Sequence, residues 1–193
     1  QTVDLPLSTE ATMLGAVFSA SRKAVDDLLP RELQPVRATP TGKAAVTFLS
    51  VEYSHIGVEG IDPYDEFGVV FPAVRRSTPT VPYLSALYRS MRGYVWSLPV
   101  TTEPAKALGV DIWGYPKFVA EITHKEDDSR RRTTVSVDAD RLVTLQVDRS
   151  PSVQVRDEGY NYTLRDDELL RIPVEVDAEG RQREHERGLH WPD

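Results

Sequence analysis

Ile112-Trp113-Gly114-Tyr115-Pro116-Lys117-Phe118-Val119-Ala120 sets one lysine among large apolar side chains immediately after a tight turn. Gly114 and Pro116 are turn residues, the first for its free φ and the second for its fixed one, and Phe118 to Thr123 reads as the strand that follows. Lys117 therefore falls at a turn-to-strand junction. Taking an ammonium out of water beside Trp113, Tyr115 and Phe118 disfavours its charged form, and full burial can lower a lysine pKa by ~3–5 units. A neutral amine there would attack a carbonyl and form an iminium. The plainer reading is a lysine whose stem lies on the aromatic rings while its head stays in water.

Upstream of this stretch, Thr102-Glu103-Pro104 starts a short helix over 105–108 that Gly109 ends, and Tyr94 to Val100 reads as a strand. Tyr83 to Met91 has apolar residues at i, i+3, i+4 and i+7 and reads as a helix, either an outer packing helix or a lid whose Tyr88 and Met91 shape a pocket. The longest strand candidate is Ala44 to Tyr53, with Val46 and Phe48 alternating against Thr47. A Gly- and Pro-bearing loop from Ser54 to Tyr64 leads to Asp65-Glu66, and Phe67 to Phe71 is the next strand. Near the start, 1–12 reads as a polar arm and Met13 to Phe18 as a strand. Ser21 caps a helix whose apolar face is Val25, Leu28 and Leu29, and Pro30 ends it. Downstream come strands at 133–137 and 142–147 joined by a turn at Asp138-Ala139-Asp140, then 152–155, 160–164 and 174–176, and a polar tail over 177–193.

Many short strands with turn signals between them predict a mainly β chain, an antiparallel barrel or a sandwich. The 193 residues, 40% of them hydrophobic, are enough for one well-buried core and short for two, so one domain is expected over 1–193. A net charge of -7 argues against a nucleic-acid partner, and the basic run Arg130-Arg131-Arg132 after Glu126-Asp127-Asp128 reads as a solvated hairpin tip. With no cysteine there is no disulfide or thiolate metal site, which fits a cytoplasmic protein. No apolar run approaches the ~18–20 residues that span a bilayer, so no membrane partner is expected. His55 with Glu59, Asp62, Asp65 and Glu66 matches no calcium loop or histidine pair, so no metal is expected. His185 and His190 in the tail are not spaced as a metal pair, and Asn161-Tyr162-Thr163 fits a glycosylation pattern that three residues readily match by chance.

Three segments in order carry a resemblance. Glu103-Pro104-Ala105 followed by Gly114-Tyr115-Pro116-Lys117, the upstream Leu29-Pro30-Arg31-Glu32-Leu33, and Tyr64-Asp65-Glu66 together resemble the acetoacetate decarboxylase family. The resemblance implies an antiparallel barrel-like fold with a few short peripheral helices. It also implies a Schiff-base lysine at Lys117, an active-site glutamate at Glu66, and walls from Tyr64, Trp113, Tyr115 and Phe118, with Tyr88 and Met91 contributing if the 83–91 helix is a lid. Phe118 stands where the family's decarboxylases carry a second lysine, Leu49 where they carry another glutamate, and no arginine between Leu7 and Ala16 matches theirs.

The implied activity is condensation of Lys117 with a small or medium oxo acid. Decarboxylation of a β-keto acid, or related aldol or dehydration chemistry, would follow without a cofactor, because the iminium itself is the electron sink. The alternative is a non-catalytic barrel that binds an apolar small molecule. A homo-oligomer is compatible with either.

Overall fold

The computed structural model of the protein describes residues 7–39, 41–78, 93–148 and 152–181. The proposed helix at 83–91, with Tyr88 and Met91, and the tail beyond 181, with His185 and His190, lie outside the described residues.

The chain is mainly β, and its large sheet curls as a half-barrel. In chain order the elements are β1 (Thr9–Ala20), α1 (Arg22–Leu28), β2 (Leu33–Pro35), β3 (Ala44–Ile56), β4 (Tyr64–Phe71), β5 (Ala73–Arg75) and β6 (Gly93–Val100). There follow α2 (Glu103–Trp113), β7 (Lys117–Val119), β8 (Glu121–Glu126), β9 (Arg130–Val137), β10 (Asp140–Asp148), β11 (Ser152–Arg165) and β12 (Glu168–Arg181). The large sheet runs β1-β3-β4-β6-β11-β12 with β7 also on β6; β10-β9-β8 form a three-stranded sheet, and β2-β5 a two-stranded one. Most pairings are antiparallel, but β7 and β11 both join β6 in parallel. They share one edge of β6: β11 takes Gly93 and Tyr94, β7 takes Leu98 to Val100. Ahead of β7, the Pro116 carbonyl accepts from the Leu98 N–H of β6.

Strand alternation gives the large sheet two different faces. One carries Phe48, Phe67, Val46, Val69, Ala16 and Phe18, which pack with Ile122, Val135 and Leu145 of the three-stranded sheet. The other carries Leu49, Val70, Val95 and Leu98 with Tyr115, and continues into Tyr53, Tyr64 and Val100, over which α2 lays Ala105 and Leu108. Leu29 and Leu33 of the Leu-Pro-x-x-Leu segment are buried in a third cluster with Val25, Phe71 and Tyr162, so that segment serves packing.

Several boundaries differ from the sequence reading. β1 begins at Thr9, inside the expected arm, because β3 continues to Ile56 and offers partners to that point. Ser21 does cap α1, accepting from the Ala24 N–H, but Leu28 is exposed and only Val25 and Leu29 of the expected face are buried. β4 starts at Tyr64, so Asp65 and Glu66 belong to a strand and not to a loop. The expected strand from Phe118 to Thr123 is two strands: the chain leaves the large sheet at Ala120 and enters the small one. Arg131, expected in a solvated tip, is buried and ion-paired with Glu52, because alternation along β9 turns it inward between exposed Arg130 and Arg132. The strands at 152–155 and 160–164 are one strand, β11, and β12 carries the expected polar tail on to Arg181. Asp138 and Ala139, both at positive φ, make the two-residue turn of the β9–β10 hairpin. No helix among the described residues is long and apolar enough to cross a membrane.

Candidate active site

α2 explains where the lysine sits. Thr102 caps its start by accepting from the Ala105 N–H, with Pro104 in the first turn. The helix does not stop at Gly109 but runs to Trp113, and Gly114 ends it at φ 64, with the Gly114 N–H on the Val110 carbonyl and the Tyr115 N–H on the Gly109 carbonyl. Gly109 has a different task. A Cβ there would lie 2.4 Å from Lys117 Cε and 2.6 Å from Cδ, so the bare backbone of α2 is the surface along which the lysine side chain runs.

β11 holds the turn from the other side. Thr163 Oγ1 donates to the Trp113 carbonyl at 2.8 Å and Arg165 Nη1 to the Ile112 carbonyl at 3.2 Å, satisfying acceptors that the end of a helix leaves open. Asn161, on the same face of β11, hydrogen bonds to the Tyr115 hydroxyl. Thr163 is fully buried and Asn161 is engaged with Tyr115, so these residues brace the lysine turn.

Lys117 pairs in register with Leu98 and Glu66 with Val100, which brings the two charged side chains to the same face of the sheet. Lys117 Nζ lies 2.7 Å from Glu66 Oε2, with side chains only 5% and 9% exposed. Tyr64 approaches the amine from its own side, its hydroxyl 3.5 Å and its ring centroid 5.4 Å from Nζ. Tyr53 donates to Glu66 Oε1 at 3.4 Å, and its ring lies 4.8 Å from that of Tyr64. Burial, and secondarily the Glu66 carboxylate, hold the Tyr53 and Tyr64 phenols far above the ordinary tyrosine value. Burial also pushes the Tyr115 hydroxyl up to about 12, against the opposing hydrogen bond from Asn161. The site is thus one buried ion pair enclosed by phenols that stay protonated at neutral pH.

Of the residues singled out in the sequence, Lys117, Glu66, Tyr64 and Tyr115 come together on this face. Trp113 ends α2 and packs on Tyr115, ring centroids 6.0 Å apart. Phe118 does not join them: it packs into the cluster of Phe48, Phe67 and Ile122 on the opposite face, because adjacent strand residues point to opposite sides. Leu49 does lie on the site face, beside Tyr115, Val70 and Leu98. Tyr53 was not expected at all; only the pairing of Tyr53 with Tyr64 across β3 and β4 brings it in.

Directly behind the pair, Glu52 and Asp65 point to the other face and meet His124. Its Nε2 is 3.3 Å from Glu52 Oε1 and 3.6 Å from Asp65 Oδ1, and its Nδ1 is 3.0 Å from Thr133 Oγ1, itself 2.8 Å from Ser50 Oγ. The donor atoms of Glu52, Asp65 and His124 lie within 4.8 Å of one another, close enough to hold a metal ion. Glu52 is already ion-paired with Arg131, so the set reads as an ionic tie between the two sheets.

A model of the acetoacetate decarboxylase (ADC) family matches residues 1–178. The chain belongs to the acetoacetate decarboxylase family. Solved structures agree on the fold. Acetoacetate decarboxylase from Legionella pneumophila superposes with a TM-score of 0.59 at 12% identity, over 89% of this chain and 62% of that one. A second acetoacetate decarboxylase structure gives 0.63 at 15%, over 90% and 67%. The enduracididine biosynthesis enzyme MppR, complexed with the condensation product of pyruvate and imidazole 4-carboxaldehyde, gives 0.56 at 15%, over 86% and 66%. This chain therefore spans about 62% of the length of the Legionella acetoacetate decarboxylase. No curated protein matches the sequence.

Proposed function

We propose that the protein is a cofactor-independent lyase in which Lys117 forms a Schiff base with the keto group of an oxo acid. The observation that supports this most is the buried Lys117–Glu66 contact of 2.7 Å. Glu66 is placed to take a proton from the ammonium, which frees a lone pair for attack on a carbonyl carbon. The resulting iminium withdraws electrons from the adjacent carbon. In a β-keto acid the bond to the carboxylate then breaks, CO2 leaves, and the enamine is protonated at carbon; aldol or dehydration chemistry uses the same electron sink.

The substrate is expected to be bulkier and more apolar than acetoacetate. Leu49, Val70, Val95 and Leu98 supply apolar surface on the site face, whereas Phe118 contributes none because it faces away. In a hydrophobic pocket one methylene is worth about 1–3 kcal/mol of discrimination, or roughly 10–200-fold. CO2 release should therefore be faster from 3-oxohexanoate or benzoylacetate than from acetoacetate, by about tenfold or more in kcat/KM, and should fall to the uncatalysed rate in Lys117→Met. Efficient turnover of acetoacetate with poor turnover of the larger acids would contradict the substrate reading. Turnover undiminished in Lys117→Met would remove the lysine from the mechanism.

A further inference from the structure

Schiff-base formation needs two opposite proton movements, one at the nitrogen and one at the oxygen bound to the same carbon, and the site holds two different groups against that nitrogen. The ammonium must lose a proton before it attacks, and the carbinolamine that results must gain one on oxygen before water can leave. Glu66, an anion 2.7 Å from Nζ, suits the first movement. Glu66 then carries that proton as a neutral carboxyl on the side of the nitrogen, with Oε1 engaged by Tyr53, so a donor on another side of Nζ can serve the oxygen. The only other polar group placed against Nζ among the described residues is the Tyr64 hydroxyl, at 3.5 Å.

Resting on the Schiff-base reading, we propose that Tyr64 is a catalytic proton donor that expels water from the carbinolamine on Lys117. The ammonium proton passes to Glu66, the amine lone pair bonds to the carbonyl carbon, and a second nitrogen proton moves to the former carbonyl oxygen. Tyr64 O–H then protonates that oxygen, the C–O bond breaks to release water, and the nitrogen lone pair closes the C=N bond. The proton held by Glu66 restores the phenol. The pair starts as ammonium and carboxylate and ends as iminium and carboxylate, with one water released and no redox change.

Burial keeps Tyr64 protonated throughout the neutral range but also makes the phenol a weaker acid, so its donation rests on its position against Nζ at 3.5 Å. Its conjugate phenolate would form where the ring already faces a cation, 5.4 Å from Nζ, as the iminium charge appears. The position of Tyr64 is also fixed: β3 pairs Tyr53 opposite it, and α2 packs upon it through Ala105.

Tyr64→Phe keeps the ring and removes the proton. Two rates are read with 4-oxopentanoate as the probe: reductive trapping by cyanoborohydride, which reduces the iminium and not the carbinolamine, and loss of oxygen-18 from its keto group. Both are expected to fall ~100-fold, and added imidazolium buffer should restore part of the loss in the variant while leaving wild type unchanged. Replacement of Tyr64 by 3-fluorotyrosine, which keeps the shape and strengthens the acid, should change the trapping rate severalfold even if Tyr64→Phe folds poorly. Wild-type rates in Tyr64→Phe, or identical rates with fluorotyrosine, would overturn the assignment and leave the Schiff-base reading standing. Failure of the wild type to trap the probe above the level of Lys117→Met would overturn both.

Discussion

Gly109→Ala is expected to cut Schiff-base trapping at Lys117 by about 100-fold or more while leaving a folded protein. On a helix alone the change is favourable, since alanine exceeds glycine in helix propensity by roughly 1 kcal/mol. The added Cβ, however, would sit 2.4 Å from Lys117 Cε, 2.6 Å from Cδ and 3.0 Å from Nζ. Atoms cannot approach so closely, and the helix backbone is held by Thr102 at one end and by Gly114, Thr163 and Arg165 at the other. The lysine must give way, leaving Glu66 and Tyr64 behind, and a displacement of about 1 Å in a reacting group can cost ~100-fold. Overpacking of this kind costs about 1–3 kcal/mol, offset in part by the propensity gain of roughly 1 kcal/mol, so the melting temperature should fall by no more than about 8 °C. An unaltered trapping rate in Gly109→Ala would show that the amine does not lie along α2.

Lys117→Met is expected to lower stability by about 3–5 kcal/mol, because it strands a buried carboxylate whose charge was balanced across 2.7 Å. For a chain of this length the shift in Tm would be on the order of 10 °C. Glu66→Leu should cost a similar amount by stranding the ammonium. The double variant, with both charges gone and two apolar side chains of related volume in their place, should recover wild-type stability or exceed it, since buried ion pairs seldom outperform well-packed hydrophobic replacements. Urea denaturation of the four proteins measures the coupling. Single variants that each cost under ~1 kcal/mol would mean that the two groups are solvated and that no enclosed pair exists.

The residues that were legible in the sequence are those whose signals are local. Gly114-Tyr115-Pro116-Lys117 announces a turn with a lysine after it, Ser21 announces a helix start, and Asp138-Ala139 a hairpin, each through backbone chemistry confined to a few positions. What failed depended on partners far along the chain. Gly109 reads as a stop when only its neighbours are considered; its purpose appears when Lys117 is laid beside it. Tyr53 carries no signal by itself and enters only through register with Tyr64. Arg131 looks solvated within a basic run and is buried because Glu52, some eighty positions earlier, waits on the adjoining sheet. Phe118 is the instructive case, since period-two alternation alone would have separated it from Lys117 had the strand been started one residue earlier. Phe118 accordingly forms no wall around the amine, and the groups beside it are Glu66 and Tyr64.

Condensation of the Lys117 amine with a carbonyl is tested most directly by borohydride reduction of the protein in the presence of a mixture of oxo acids, followed by proteolysis and peptide mass mapping. One stable adduct is expected, on Lys117, that is lost in Lys117→Met and strongly reduced in Gly109→Ala. Adducts scattered over exposed lysines such as Lys23 and Lys106, with Lys117 unmodified, would contradict it.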